Sequence, residues 1–200
     1  MIHKKLNRDE LLSGLSRLDE LAREKGVLID LTVYGGAALS IVYDLRDSTR
    51  DVDVAIHTQA DKARALAREV SEEKGWGDDW LNDGVKGFLS RNEEVFAVTD
   101  FQATSAGLVL SVASPRYLLA MKCMAMRTAD AQGHDGDRQD IKSLMEMTGV
   151  TSSEEVLDMV ASFYPDNQIS AKVSFGVVEI FEEWKAGAEK ATAPNARPKV

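Results

Sequence analysis

Apolar residues near the N-terminus recur at helical spacing. Leu11, Leu12, Leu15, Leu18, Leu21 and Ala22 form one face with charges opposite. Asn7 or Asp9 stands where a cap belongs, and Gly26 where such a helix stops. The period then changes. Residues 27–34 are rich in β-branched side chains, read as a buried strand, and run straight into Gly35-Gly36. Residues 37–43 suit a short buried helix, and residues 44–50 a polar loop. From 51 to 57 the chain alternates, with Val52, Val54 and Ile56 on one face and Asp51 and Asp53 on the other.

Residues 61–74 predict an amphipathic helix with Ala63, Leu66, Ala67 and Val70 inward. Residues 75–84, which carry Trp76 and Trp80, predict an ordered loop. Two strands follow at 95–101 and 108–113, separated by a turn at Gly107. Ser114-Pro115 opens a helix to about residue 128, with proline in its first turn. A loop at 132–137 leads to a helix over 138–147 closed by Gly149. Thr151-Ser152-Ser153-Glu154 reads as a capping box for a helix through Val160, and residues 170–185 as the last helix. The tail from 186 to 200 has Pro194 and Pro198 and few large apolar residues, so it is expected to fray. The fold class is therefore α+β, with an α/β core over 1–113, a helical region over 114–185 and a flexible tail.

Composition narrows the function classes. The 200 residues are 44% hydrophobic, enough for a sizeable core, and carry a net charge of −9. That balance does not suggest a non-specific nucleic-acid binder, although a local basic strip is compatible with it. The single cysteine, Cys123, has no disulfide partner and lies among Met121, Met124 and Met126, which fits core packing. The N-terminus lacks the apolar core of a signal peptide, and no run reaches the length of a membrane span. The expected location is the cytoplasm, away from membranes.

Candidate chemistry gathers at two short segments. Glycines at the end of a strand leave backbone N–H groups open at a helix start, where anions bind. Asp51 and Asp53 aim at one spot, and Mg²⁺ prefers carboxylate oxygens together with substrate phosphates. Metal ions held between acids and a triphosphate polarise the attacked phosphorus and offset leaving-group charge. The alternative makes Gly35-Gly36 a turn and the acids a solvated strand face. Elsewhere, His134-Asp135-Gly136-Asp137 reads as a solvated loop, and His3 and His57 are isolated. Trp76 and Trp80 either stack on a base or anchor their loop.

The run Tyr34-Gly35-Gly36-Ala37-Ala38-Leu39, followed by Arg50-Asp51-Val52-Asp53, resembles the signature of the polymerase-beta-like nucleotidyltransferase superfamily. Val112-Ala113-Ser114-Pro115-Arg116-Tyr117-Leu118-Leu119-Ala120-Met121-Lys122 and Asp137-Arg138-Gln139-Asp140-Ile141 resemble the branch related to abortive-infection (AbiEii-type) toxins and bacterial relatives of uncharacterised function. The similarity covers about residues 31–149.

That resemblance implies a mixed β-sheet flanked by helices, with a helical C-terminal region closing a nucleotide cleft. It implies Mg²⁺ or Mn²⁺ as cofactor and an NTP as substrate, with Asp51 and Asp53 as metal-binding, catalytic acids. Gly35 and Gly36 become the triphosphate-contacting doublet, Lys122 the basic residue facing the nucleotide, and Asp140 a catalytic acid with Arg138 nearby on the nucleotide. The acceptor is RNA, such as a tRNA end, or a protein side chain, and the partner a cognate antitoxin. Arg116, Lys122, Arg127 and Arg138 are the cations available for an RNA-facing strip. Many relatives carry a third metal-binding acid on a later strand, and here the only acid inside a strand-like run is Asp100. Either Asp100 fills that place, or the site has two acids, or activity has been lost. The rival readings are a catalytically inactive nucleotide-binding module and a partner-binding regulatory subunit.

Overall fold

The computed structural model describes residues 4–102, 106–126 and 136–192, with the side chains of residues 100, 102 and 189–192 excepted. β1 (Leu6–Asn7) pairs with β3 (Ser48–Thr49) as a small antiparallel ribbon. The main sheet has the strand order β5-β4-β2-β7-β6. These strands are β2 (Ile29–Val33), β4 (Val52–Ile56), β5 (Leu81–Asn82), β6 (Val95–Ala97) and β7 (Leu108–Ala113). The β2–β7 and β4–β5 pairs are parallel, whereas β2–β4 and β6–β7 are antiparallel, so the sheet is mixed.

The helices are α1 (Arg8–Glu24), α2 (Gly35–Ile41), α3 (Ala60–Lys74), α4 (Thr99–Gln102), α5 (Pro115–Ala125), α6 (Gly136–Thr148), α7 (Ser153–Phe163) and α8 (Ala171–Thr192). Asn7 caps α1 in a capping box with Glu10, whose side chain accepts from the Asn7 N–H. Ser114 caps α5, with Pro115 in the first turn. The cap before α7 sits one residue beyond the expected position: Ser152 is the cap and accepts from the Glu155 N–H, while the Glu155 carboxylate accepts from the Thr151 N–H and not from that of the cap.

Strand register sorts the side chains. Thr32 pairs with both Ala55 and Ser111, so these share a face, and Tyr34 and Asp53 follow two residues along on that same side. Leu31, Val33, Val52, Val54, Leu110 and Val112 take the other face and are buried. One cluster of buried residues runs from Leu6 through Phe181 and so spans the strand-rich half and the C-terminal helices alike. Tyr117 on α5 joins them: its ring stacks on Phe163 at 4.9 Å and meets Tyr34 edge-on at 6.1 Å.

Three elements differ from expectation. The loop over 75–84 contains β5, held because the Val52 N–H donates to the Trp80 carbonyl at 2.6 Å. The strand expected over 95–101 ends at Ala97, and Asp100 lies on α4. Thr99 favours a helix start over a ladder position because its hydroxyl competes for local backbone groups. The last helix runs on to Thr192, beyond the boundary at 185 where fraying was expected. No helix among the described residues is long and apolar enough to cross a membrane.

Candidate active site

Asp53 lies at the start of β4, and Asp51 immediately precedes the strand; both are partly buried. β5 places Asn82 directly opposite Asp53 in register, and the Asn82 Nδ2 donates to Asp51 Oδ2 at 3.2 Å. The other end of that amide is committed, since Asn82 Oδ1 accepts from the Gly84 N–H at 2.9 Å. Burial raises the proton affinity of Asp51, against the opposing effect of Asn82. For Asp53, burial and then the Asp51 charge push the carboxyl up to about 6, with Lys122 pulling the other way. Two carboxylates are thus held close together in a partly desolvated place.

The glycine doublet lies against these acids. Gly35 has φ +58, and a Cβ there would stand 2.6 Å from Asp53 Oδ2. A Cβ on Gly36 would stand 2.7 Å from Thr49 Oγ1 and 3.2 Å from Arg46 Nη1. Only glycine fits such close approach, and at Gly35 the left-handed backbone adds a second reason. Helix α2 therefore begins on the doublet itself, two residues earlier than its apolar pattern suggests.

A second cluster faces them from α5 and α6. Lys122 Nζ lies 2.8 Å from Asp140 Oδ2 and 2.9 Å from Asp137 Oδ1, and Arg46 Nη1 reaches the same Asp140 oxygen at 2.7 Å. Burial alone would lower the Lys122 pKa, but Asp140 and Asp137 outweigh it and raise it. Lys122 is therefore a partly buried, ion-paired cation and not a lysine reaching out to solvent. Asp140 and Asp137 are one helical turn apart and meet Lys122 together.

Arg138 falls between them in sequence and points elsewhere. It pairs with Glu183 at 2.6 Å and Glu179 at 3.3 Å on α8, so the cation expected beside the nucleotide instead joins α6 to α8. An open groove of about 440 Å³ between α6 and α8 is lined by Gln139, Lys142, Ser143, Glu146 and Trp184, on a different side of α6 from Asp140.

Asp100 does not come near the acid pair. Its helix follows β6, three strand positions from β4 and at the other end of the sheet: the register matches Ala97 with Ser111 and Thr32, and the chain then runs away from Tyr34. The expected third acid is separated by topology, and its side chain lies outside the described residues. His3, Arg127, His134 and Asp135 also lie outside them. His57 shares a 2.9 Å hydrogen bond with Thr32 Oγ1. Cys123 is buried, which pushes its thiol up to about 12. Trp80 is buried and donates from Nε1 to the Ala67 carbonyl at 2.7 Å, with Trp76 edge-on to it at 5.3 Å, so this pair anchors its loop.

Two residues of the site were missed in the sequence. Arg46 lies in a polar loop with no pattern to mark it. Asn82 sits on a strand two residues long, too short for a periodic signal.

The donor set suits a hard divalent cation that completes its shell with water and phosphate: two crowded carboxylates whose ionised forms are disfavoured, with an amide beside them. No group of three or more His, Cys, Asp or Glu side chains that could hold an ion occurs among the described residues. Comparisons with protein-family models, curated proteins and solved structures find no match to this chain.

Proposed function

We propose that this protein is a divalent-metal-dependent nucleotidyltransferase, moving a nucleoside monophosphate from an NTP to an acceptor hydroxyl. The observation that carries this reading is the position of Asp51 and Asp53, with Gly35 pressed against Asp53 and Lys122 within electrostatic reach of it. Asp51 and Asp53 hold Mg²⁺ or Mn²⁺, which when bound offsets charge on the triphosphate and the leaving group. Gly35 and Gly36 let the phosphates approach the backbone. Lys122 supplies positive charge on the opposite wall, and Asp140 keeps it there.

In the reaction the acceptor oxygen bonds to the α-phosphorus and the bond to the α–β bridging oxygen breaks. Pyrophosphate leaves, and the hydroxyl proton passes to solvent. The acceptor is RNA, such as a tRNA end, or a protein side chain, and the protein acts as the toxin of a toxin–antitoxin or phage-defence pair.

Asn82 favours a second reading. Where a third carboxylate would complete the acid pair, β5 presents an amide, which suits a protein that binds nucleotide or a partner without turning over. The two readings separate by label transfer from each α-³²P-NTP into total RNA and protein. Transfer that is lost in the D51N/D53N double variant supports the enzyme. Mg²⁺-dependent NTP binding with no transfer from any of the four nucleotides supports the inactive form.

A further inference from the structure

Two side chains beside the acid pair converge on a single oxygen of a third. Arg46 Nη1 and Lys122 Nζ both bond Asp140 Oδ2, at 2.7 and 2.8 Å. The Asp140 side chain is 6% exposed and acts as an anchor, whereas the Arg46 side chain is 28% exposed. Arg46 Nε is spent on the Ser48 carbonyl at 3.0 Å and Nη1 on Asp140, and Nη2 has no partner among the described residues. A guanidinium carries five N–H donors in a fixed fork, so three remain unspent.

The fork runs through a slot between two glycines. A Cβ on Gly36 would stand 3.2 Å from Nη1, and one on Gly136 would stand 3.8 Å from Nη2. Any side chain at 36 would push on the guanidinium. The Arg46 charge also acts on Asp51, as the Lys122 charge acts on Asp53. Two cations therefore flank the two acids, held apart from them by one shared carboxylate.

We infer that Arg46 and Lys122 form a polyphosphate-binding pair and that Asp140 is its positioning residue. The inference rests on the metal–nucleotide reading of Asp51 and Asp53. A fork with free N–H groups meets two non-bridging phosphate oxygens at once, which an ammonium cannot do. Pinning it to a buried carboxylate removes the rotamer freedom that a free arginine would lose on binding. Asp51, Asp53, Asp137 and Asp140 outnumber the two cations, so bare polyphosphate is repelled and the magnesium complex is the species accepted.

Inorganic tripolyphosphate tests this without knowledge of the base. Calorimetric titration of the full chain is expected to show binding with Mg²⁺ and none without it. R46Q is expected to weaken it at least about tenfold, as loss of a charge-assisted contact does, and R46K to recover only part. D140N weakens binding in the wild-type background and less in R46Q, where only Lys122 remains for Asp140 to position.

Ligand-free thermal unfolding of each variant separates lost folding from lost binding. If R46Q fails to fold, R46K decides, and unchanged affinity in it overturns the inference. Folded R46Q with wild-type affinity, or equal losses from D140N in both backgrounds, also overturns it. Wild-type protein that binds neither magnesium tripolyphosphate nor any MgNTP removes this inference and the metal–nucleotide reading together. Arg46-dependent tripolyphosphate binding without nucleotidyl transfer leaves the inference standing and removes the reaction.

Discussion

A Cβ on Gly35 would stand 2.6 Å from Asp53 Oδ2, so the absence of a side chain at 35 fixes where that carboxylate lies. Gly35→Ala incurs two penalties: about 1–2 kcal/mol for a left-handed alanine, and displacement of Asp53. The expected outcome is loss of Mg²⁺-dependent nucleotide binding with a modest fall in Tm. Gly187→Ala is the control, since nothing lies within 4 Å of its Cβ position and a helical glycine replaced by alanine gains about 0.5–1 kcal/mol. Nucleotide titration of both variants checks this.

Asp53 predicts an unusual response to pH. Burial, then the charge of Asp51, hold its carboxyl at about 6, whereas the unfolded chain releases that proton near the ordinary ~3.9. Between those values the unfolded state binds fewer protons, so this group lowers stability as pH rises and leaves a constant penalty above about 6. Asp53→Asn is therefore expected to be more stable than wild type at neutral pH, with the advantage shrinking as pH falls toward ~4. Mg²⁺ competes with the proton, so its effect on Tm is expected at neutral pH and lost in acid. Thermal unfolding across pH, with and without Mg²⁺, reads both.

Arg138 is expected to be dispensable for the ligand. Its guanidinium is engaged with Glu183 and Glu179 on α8. Arg138→Gln should lower stability by no more than about 1 kcal/mol, as for other partly exposed pairs, and leave magnesium tripolyphosphate affinity unchanged. A tenfold loss in titration would return Arg138 to the site.

Trp80 ties the Asn82 strand to α3 through Nε1 and the Ala67 carbonyl, and to β4 through its own carbonyl. Trp80→Phe keeps most of the apolar bulk and leaves the Ala67 carbonyl without its donor. A loss of about 1–2 kcal/mol in denaturant unfolding is expected.

Much of the frame was legible because it follows from periodicity and caps: Asn7 before α1, Ser114-Pro115 before α5, and the alternation that puts Asp51 and Asp53 on one side. Spacing also held the answer for Arg138. Asp137 and Asp140 are three apart and share a helix face, while Arg138 and Lys142 are four apart and share another, which meets Glu183. What could not be read was tertiary. β5 is a strand only because Trp80 is buried beside it, and Arg46 matters only because folding brings Asp140 to it across 94 residues of chain.

Anomalous scattering from crystals soaked with Mn²⁺ and each of the four NTPs, in forms with a non-hydrolysable α–β bridge, shows whether Asp51 and Asp53 hold a metal–nucleotide complex. The expected result is a manganese peak between the Asp51 and Asp53 carboxylates with at least one nucleotide, the polyphosphate beside Gly35, Gly36 and Lys122, and no such peak in D51N/D53N. Manganese bound elsewhere, or nucleotide bound with both carboxylates left unliganded, would contradict it.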